Sequence, residues 1–268
     1  MGAKDWPIVT SDRIGLICEN TFRCRVVGRS MFRIKICGIR TEADLLAVSR
    51  SGADAVGLNF HPSSVRYLAP EESAPVAKAA HGLGLKTIGV FVDQPAESIA
   101  ETCERLNMFA CQLHGTQSPD DANWLIRRGI RVIKAIRLPT HELNPEIICR
   151  AVRNWHEIGC PLLFDAEVGL AGGGQGARLD WEAIGEWHRT HEQVAHIQAS
   201  FWGLAGGLKP ETVAEAIRFS GTQAVDVASG VESSPGRKSA EKILQFATAA
   251  FTAWEVVRSE LPPEPSRD

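Results

Sequence analysis

Eight short apolar runs, each followed by a longer amphipathic stretch, succeed one another from residue 33 to the C-terminal region. A parallel strand covered by helices reads as an unbroken apolar run, and the amphipathic stretch after it supplies the crossover helix. The runs are Arg33–Ile36, Ala55–Phe60, Thr87–Val92, Phe109–Leu113, Arg131–Ile136, Pro161–Phe164, Phe201–Ala205 and Ala224–Val227. Helix-start chemistry opens several of the intervening stretches. Thr41 stands three residues before Asp44, as in a capping box. Ser118 precedes Pro119, an N-cap with a first-turn proline. Pro210 and Glu211 are expected to begin another helix, the acid suiting its positive end. The last helix is expected over Ser239–Val257. Eight βα units without a recognisable edge strand predict an α/β fold of the (β/α)8 TIM-barrel type, a single domain, over a doubly wound open sheet.

Such a barrel takes about 250 residues, and the chain has 268. Residues 31–258 are assigned to the barrel and residues 259–268 to a tail rich in proline. Residues 1–30 show no barrel period and form an N-terminal extension expected to be dispensable.

Basic and acidic residues nearly balance, for a formal charge of −3. No basic run is interleaved with aromatics, which argues against nucleic-acid binding, and no apolar run is long enough to span a membrane. The first 30 residues lack the basic start and apolar stretch of a secretory signal. There are seven cysteines, an odd number, and no pair has CxxC spacing. That speaks against a disulfide framework or a zinc site and for reduced thiols, hence a cytoplasmic setting. Monomer and homodimer both remain open.

In a (β/α)8 barrel the chemistry sits at the C-terminal strand ends. The first strand ends in Lys35-Ile36-Cys37-Gly38, the second in Asn59-Phe60-His61-Pro62 with Arg66 beyond, the fourth in Gln112-Leu113-His114-Gly115, the sixth in Phe164-Asp165, and the eighth in Asp226 before Ser229-Gly230. Cys37 is a candidate base or nucleophile; taken alone it reads more readily as a packed core thiol, and its place beside Gly38 at the first strand end turns the reading toward function. Asp165 after Leu162-Leu163-Phe164 is a carboxylate at the mouth of a buried strand, and its bland alternative is a loop cap. Cysteine and aspartate on opposed strand ends suit proton transfers on a sugar. Arg66 can hold a carboxylate through two parallel hydrogen bonds, although most arginines are merely solvated. His114 is a catalytic group or a rim histidine, and Asp226 orients a hydroxyl or satisfies backbone donors. His61 and His114 lack a third ligand, so no metal is expected.

Glycines cluster after the last three strands. Gly173-Gly174, Gly206-Gly207 and Ser229-Gly230 together point to a phosphate held by backbone N–H groups, as is common after the last strands of such barrels. Gly172–Ala177 also matches GxGxxA loosely, but it lies late in the chain and makes a poor dinucleotide fingerprint.

In chain order, Lys35–Gly38, Gly57–Leu68 (GLNFHPSSVRYL), Gln112–Gly115, Leu163–Asp165, Leu179–Trp181, Leu204–Pro210 (LAGGLKP) and Val225–Glu232 (VDVASGVE) resemble the phosphoribosylanthranilate isomerase family of tryptophan biosynthesis. The resemblance runs from about Phe32 to the last helix. It implies an Amadori rearrangement of a phosphorylated aminosugar, a small-molecule substrate and no cofactor. By position it makes Cys37 the general base, Asp165 the general acid and Arg66 the holder of the anthranilate carboxylate. The three glycine loops would cradle phosphate, and His114 and Asp226 would be further site residues. Two departures stand out: residues 1–30 have no counterpart, and Gln193–Trp202 is longer and more polar than the family pattern. A related barrel isomerase of histidine biosynthesis carries aspartate at the first strand end, where this chain has Cys37. A non-catalytic phosphate-binding barrel would have no need of both Cys37 and Asp165.

Overall fold

The computed structural model describes residues 32–167, 178–195 and 202–260. The extension assigned to residues 1–30, Gly173 and Gly174 lie outside the described residues. Eight parallel strands close into a barrel in sequence order, each hydrogen-bonded to the next and β8 to β1. They are β1 Ile34–Cys37, β2 Ala55–Asn59, β3 Lys86–Phe91, β4 Ala110–Leu113, β5 Val132–Leu138, β6 Leu162–Ala166, β7 Trp202–Leu204 and β8 Val225–Val227. Between and after them run α1 Glu42–Ser51, α2 Ser73–Gly82, α3 Ala96–Arg105, α4 Pro119–Arg127, α5 Pro145–His156, α6 Trp181–Ala195, α7 Val213–Ser220 and α8 Ala240–Glu260. No helix among the described residues is long and apolar enough to cross a membrane.

Strand alternation divides the core in two. Outward residues such as Ile34, Ile36, Val56, Leu58, Leu113, Phe164 and Val225 pack under the helices, against Leu45, Ile99, Leu125, Ile184, Ile217 and Phe246. A second cluster takes one residue from each strand or its flank: Phe32, Ala55, Ile88, Ala110, Ile133, Leu163, Ala205 and Ala224. This layer plugs the barrel floor. Two residues further along the same inward faces lie Gly57, Gln112, Asp165 and Asp226, so the polar strand ends stand on an apolar base.

Both expected N-caps form, but only one closes as a reciprocal box. The Thr41 hydroxyl accepts from the Asp44 amide at 3.2 Å, and Ser118 forms a reciprocal capping box with Asp121. The helix expected at Pro210 starts later. Pro210 and Glu211 belong to a turn in which the Val213 amide donates to the Lys209 carbonyl, and the helix begins only at Val213. Helix α8 runs to Glu260, two residues into the assigned tail. A small antiparallel hairpin, β9 Glu232–Ser234 with β10 Arg237–Lys238, lies between β8 and α8 and was not expected. Its turn is Pro235-Gly236, where Gly236 takes φ +75°, a conformation glycine adopts without steric cost.

Candidate active site

The inward faces of β1 and β8 carry a buried charged group. Lys35 and Asp226 are direct cross-strand partners. Their side chains are 0% and 8% exposed, with Lys35 Nζ 2.8 Å from Asp226 Oδ1. The contact is an ion pair whose angles miss regular hydrogen-bond geometry. Burial alone would push the ammonium down, but Asp226, with a share from Cys37, outweighs it and keeps Lys35 charged. Cys37 lies two residues on, facing the same way and paired in register with Gly57. A Cβ on Gly57 would stand 2.8 Å from Cys37 Sγ and 3.2 Å from Lys35 Nζ. Only glycine leaves room for thiol and ammonium together. Burial pushes the Cys37 thiol above its ordinary value, while Lys35 pulls it down.

The faces of β4 and β6 carry a different group. His114 Nε2 lies 3.1 Å from Asp165 Oδ2, both side chains about one-fifth exposed. The other ring nitrogen, Nδ1, lies 3.0 Å from Gln112 Nε2. An amide nitrogen only donates, so with Gln112 in this orientation Nδ1 accepts and the proton sits on Nε2, facing the carboxylate. Asp165 Oδ1 accepts from the Ala166 amide at 2.9 Å. Arg137, in register with Asp165 on β5, donates to the His114 carbonyl at 3.3 Å.

Arg66 is not free in its loop. Its Nε and Nη2 donate to Glu232 Oε1 and Oε2 at 2.7 and 2.8 Å. Lys238, from the same hairpin as Glu232, donates to Oε1 at 2.8 Å. Burial of Glu232 is more than offset by these two cations, which hold its carboxyl below the usual range. The stem of Arg66 packs on Gly38, where φ is +78° and a Cβ would collide with Arg66 Cδ. The glycine after Cys37 thus lets the arginine lie beside the thiol.

Of the expected phosphate turns, Gly206 and Gly207 both take positive φ, +74° and +68°. A Cβ on Gly206 would meet the Ala166 amide nitrogen and Asp165 Oδ1, at 2.5 and 2.9 Å, so this turn lies against the acid candidate. Ser229 and Gly230 begin a short 3-10 turn, Ser229–Val231, and a Cβ on Gly230 would collide with the Leu208 carbonyl. The turns after β7 and β8 therefore pack directly together. His61 stays in the loop after β2, and among the described residues no three side chains of metal-ligating type converge.

The model of the N-(5'-phosphoribosyl)anthranilate isomerase family matches residues 34–249. The chain belongs to this family. The N-(5'-phosphoribosyl)anthranilate isomerase of Myxococcus xanthus is 38% identical over 228 residues, covering 83% of this chain and 99% of that protein. The crystal structure of the phosphoribosyl anthranilate isomerase of Thermotoga maritima superposes with a TM-score of 0.70 at 34% identity, over 82% of this chain and 98% of that one. A phosphoribosyl anthranilate isomerase in complex with reduced 1-(o-carboxyphenylamino)-1-deoxyribulose 5-phosphate gives a TM-score of 0.67 at 33% identity, over the same shares.

Against this phosphoribosylanthranilate isomerase framework, four residues with structural claims on the site carried no expectation. They are Lys35, Gln112, Glu232 and Lys238. Strand parity would have found the first two, since Lys35 lies two residues before Cys37 and Gln112 two before His114. Nothing local marks Glu232, because its partner Arg66 is 166 positions away, and Lys238 joins the group only through Glu232.

Proposed function

We propose that this chain converts N-(5-phosphoribosyl)anthranilate to 1-(2-carboxyphenylamino)-1-deoxyribulose 5-phosphate in tryptophan biosynthesis, with Asp165 as general acid and Cys37 as general base. Protonated Asp165 donates to the furanose ring oxygen, and the ring opens to a Schiff base. The Cys37 thiolate then takes the C2 proton, and the resulting enolamine relaxes to the ketose. The imine is the electron sink. The observation that carries this reading is the separation of two ionisable groups on inward strand ends, each with its own partners: Cys37 beside Lys35, Asp165 beside His114. Two groups in unlike surroundings can hold unlike protonation states at one pH, which acid/base catalysis requires.

Arg66, steadied by Glu232, holds the anthranilate carboxylate. Gly206, Gly207, Ser229 and Gly230 supply backbone N–H groups to the phosphate, joined by Gly173 and Gly174. His114 and Asp226 contact the sugar. The protein works as a monomer or a homodimer, in the cytoplasm. The test is rescue of a tryptophan auxotroph lacking only the isomerase step. The wild-type chain should restore growth, and Cys37→Ser and Asp165→Asn should not. Failure of the wild type, with soluble protein present, would overturn the activity. Rescue by either variant at normal turnover would overturn that residue's role.

A further inference from the structure

Lys35 is an unusual residue to find inside a barrel. It is fully buried, and among the described residues its ammonium has no hydrogen bond of regular geometry. Its one close counter-charge is Asp226 at 2.8 Å. A lysine needed only to fill space would be an aliphatic residue, because burying an ammonium costs more than burying a methyl group. The ammonium and the Cys37 sulfur border the same gap over Gly57, at 3.2 and 2.8 Å from the point a Cβ would occupy. Removing the glycine would close that gap, so the backbone is shaped to let the two groups approach.

We propose that Lys35 is a positioning residue for the isomerase reaction, a fixed buried cation that favours the Cys37 thiolate against the burial of the sulfur, while Asp226 anchors the ammonium beneath it. The inference rests on the reading of Cys37 as base. Lys35 keeps its proton throughout. The thiol proton leaves to solvent before the substrate seats, and the sulfur then takes the C2 proton. Asp226 does two opposed things: it holds Lys35 in place, and its own negative charge works against the thiolate. Water is excluded from the pair, so the field of Lys35 on the sulfur is little screened.

The experiment titrates Cys37 directly, from the ultraviolet absorbance of the thiolate as the difference between each protein and the same protein carrying Cys37→Ser. Replacing the pair together, with Lys35→Met and Asp226→Asn, avoids an unpaired buried charge. It should move the thiolate midpoint up by about one pH unit or more, the scale of losing an adjacent opposite charge. Asp226→Asn alone should move it down, because the thiolate then has the cation to itself. A midpoint unmoved in both, or moved in the opposite sense in either, makes Lys35 structural and overturns the proposal. Should the double variant fail to fold by circular dichroism, Lys35→Gln alone decides: the midpoint rises if Lys35 favours the thiolate and stays where it was if Lys35 is structural. The acid limb of kcat/KM separates the two layers of argument. If it follows the absorbance midpoint, Cys37 is the base under the control of Lys35. If the absorbance moves and the rate profile does not, Lys35 still tunes the thiol, and the base assignment is what fails.

Discussion

On the β1–β8 side of the barrel mouth, Lys35 and Asp226 are almost sealed from water; on the β4–β6 side, His114 and Asp165 are about one-fifth exposed. The sealed side contains a full ion pair beside a thiol. The open side contains a chain of contacts, Gln112 to His114 to Asp165. A thiolate base is helped by a fixed charge that water cannot screen, and burial supplies that. A carboxylic acid that gives up its proton in each turnover must be reloaded, and partial exposure allows exchange with solvent. One barrel end thus offers two dielectric environments within a single site, and each suits the role proposed for its residue.

The strongest test of this contrast is to remove each reacting group. Cys37→Ser and Asp165→Asn should each lower kcat by about a hundredfold or more, the scale of a general acid or base, with circular dichroism unchanged. Near-normal turnover in one variant would leave that side of the mouth without a catalytic role.

Next in size is the clamp that spans the rim. Arg66→Ala should cost about 2–5 kcal/mol in binding a product analogue bearing the aromatic carboxylate. Binding of a simple sugar phosphate should scarcely change. Lysine should restore only part, since a point charge lacks the two-pronged fit. Equal weakening of both ligands in titration calorimetry would show that Arg66 serves the fold through Glu232 instead.

Glu232 gives that clamp a pH signature. Its carboxyl is held below the ordinary 4.5 of a free glutamate. The stabilisation is therefore complete above the unfolded value and is lost as pH falls through the lower folded value. Glu232→Gln should cost about 2 kcal/mol of stability near neutral pH, the scale of a charged hydrogen bond. The gap to wild type should close only in acid below the usual carboxylate range. Denaturant unfolding at a series of pH values checks this, and a gap constant with pH would mean the loss is packing rather than charge.

Much of this arrangement was legible in the sequence, and the exceptions have physical reasons. All eight strands were found within a residue or two, because a strand buried on both faces must be apolar. Cys37, Asp165, His114 and Asp226 were legible because a barrel places its strand ends at one mouth. Lys35 was not, since a lysine in a strand ordinarily reads as solvent-facing; its burial depends on Asp226, which only barrel closure brings alongside. The β9–β10 hairpin is too short and polar to register as strand. Its glutamate matters only after folding has brought Arg66 across the mouth.

A smaller effect probes the open side. Gln112 is nearly sealed, at 1% exposed, and in this orientation its contact with His114 favours the proton on Nε2. Gln112→Met keeps the volume and removes the donor. One hydrogen bond is worth about 1 kcal/mol, so kcat should fall about fivefold with KM little changed. Nitrogen-15 NMR should show the His114 ring passing from one tautomer to a mixture. An unchanged tautomer would make Gln112 a packing residue.

The smallest effect expected is none. Among the described residues, the groups named on both sides of the mouth belong to residues 35–238, and the family match begins at residue 34. We propose that residues 1–30 contribute nothing to either side, so a chain starting at Met31 should fold, melt at the same temperature and keep both kcat and KM. The two parameters discriminate what the extension does if this is wrong. A raised KM at constant kcat would place the extension over the mouth, where it would assist binding on the open side. A lowered kcat with a shifted acid limb would mean that it helps seal Cys37 and Lys35 from water. Insoluble truncated protein, beside soluble active full-length protein, would make it part of the barrel's support. The β1 strand would be the place to look, since Phe32 plugs the barrel floor at the very point where the extension joins.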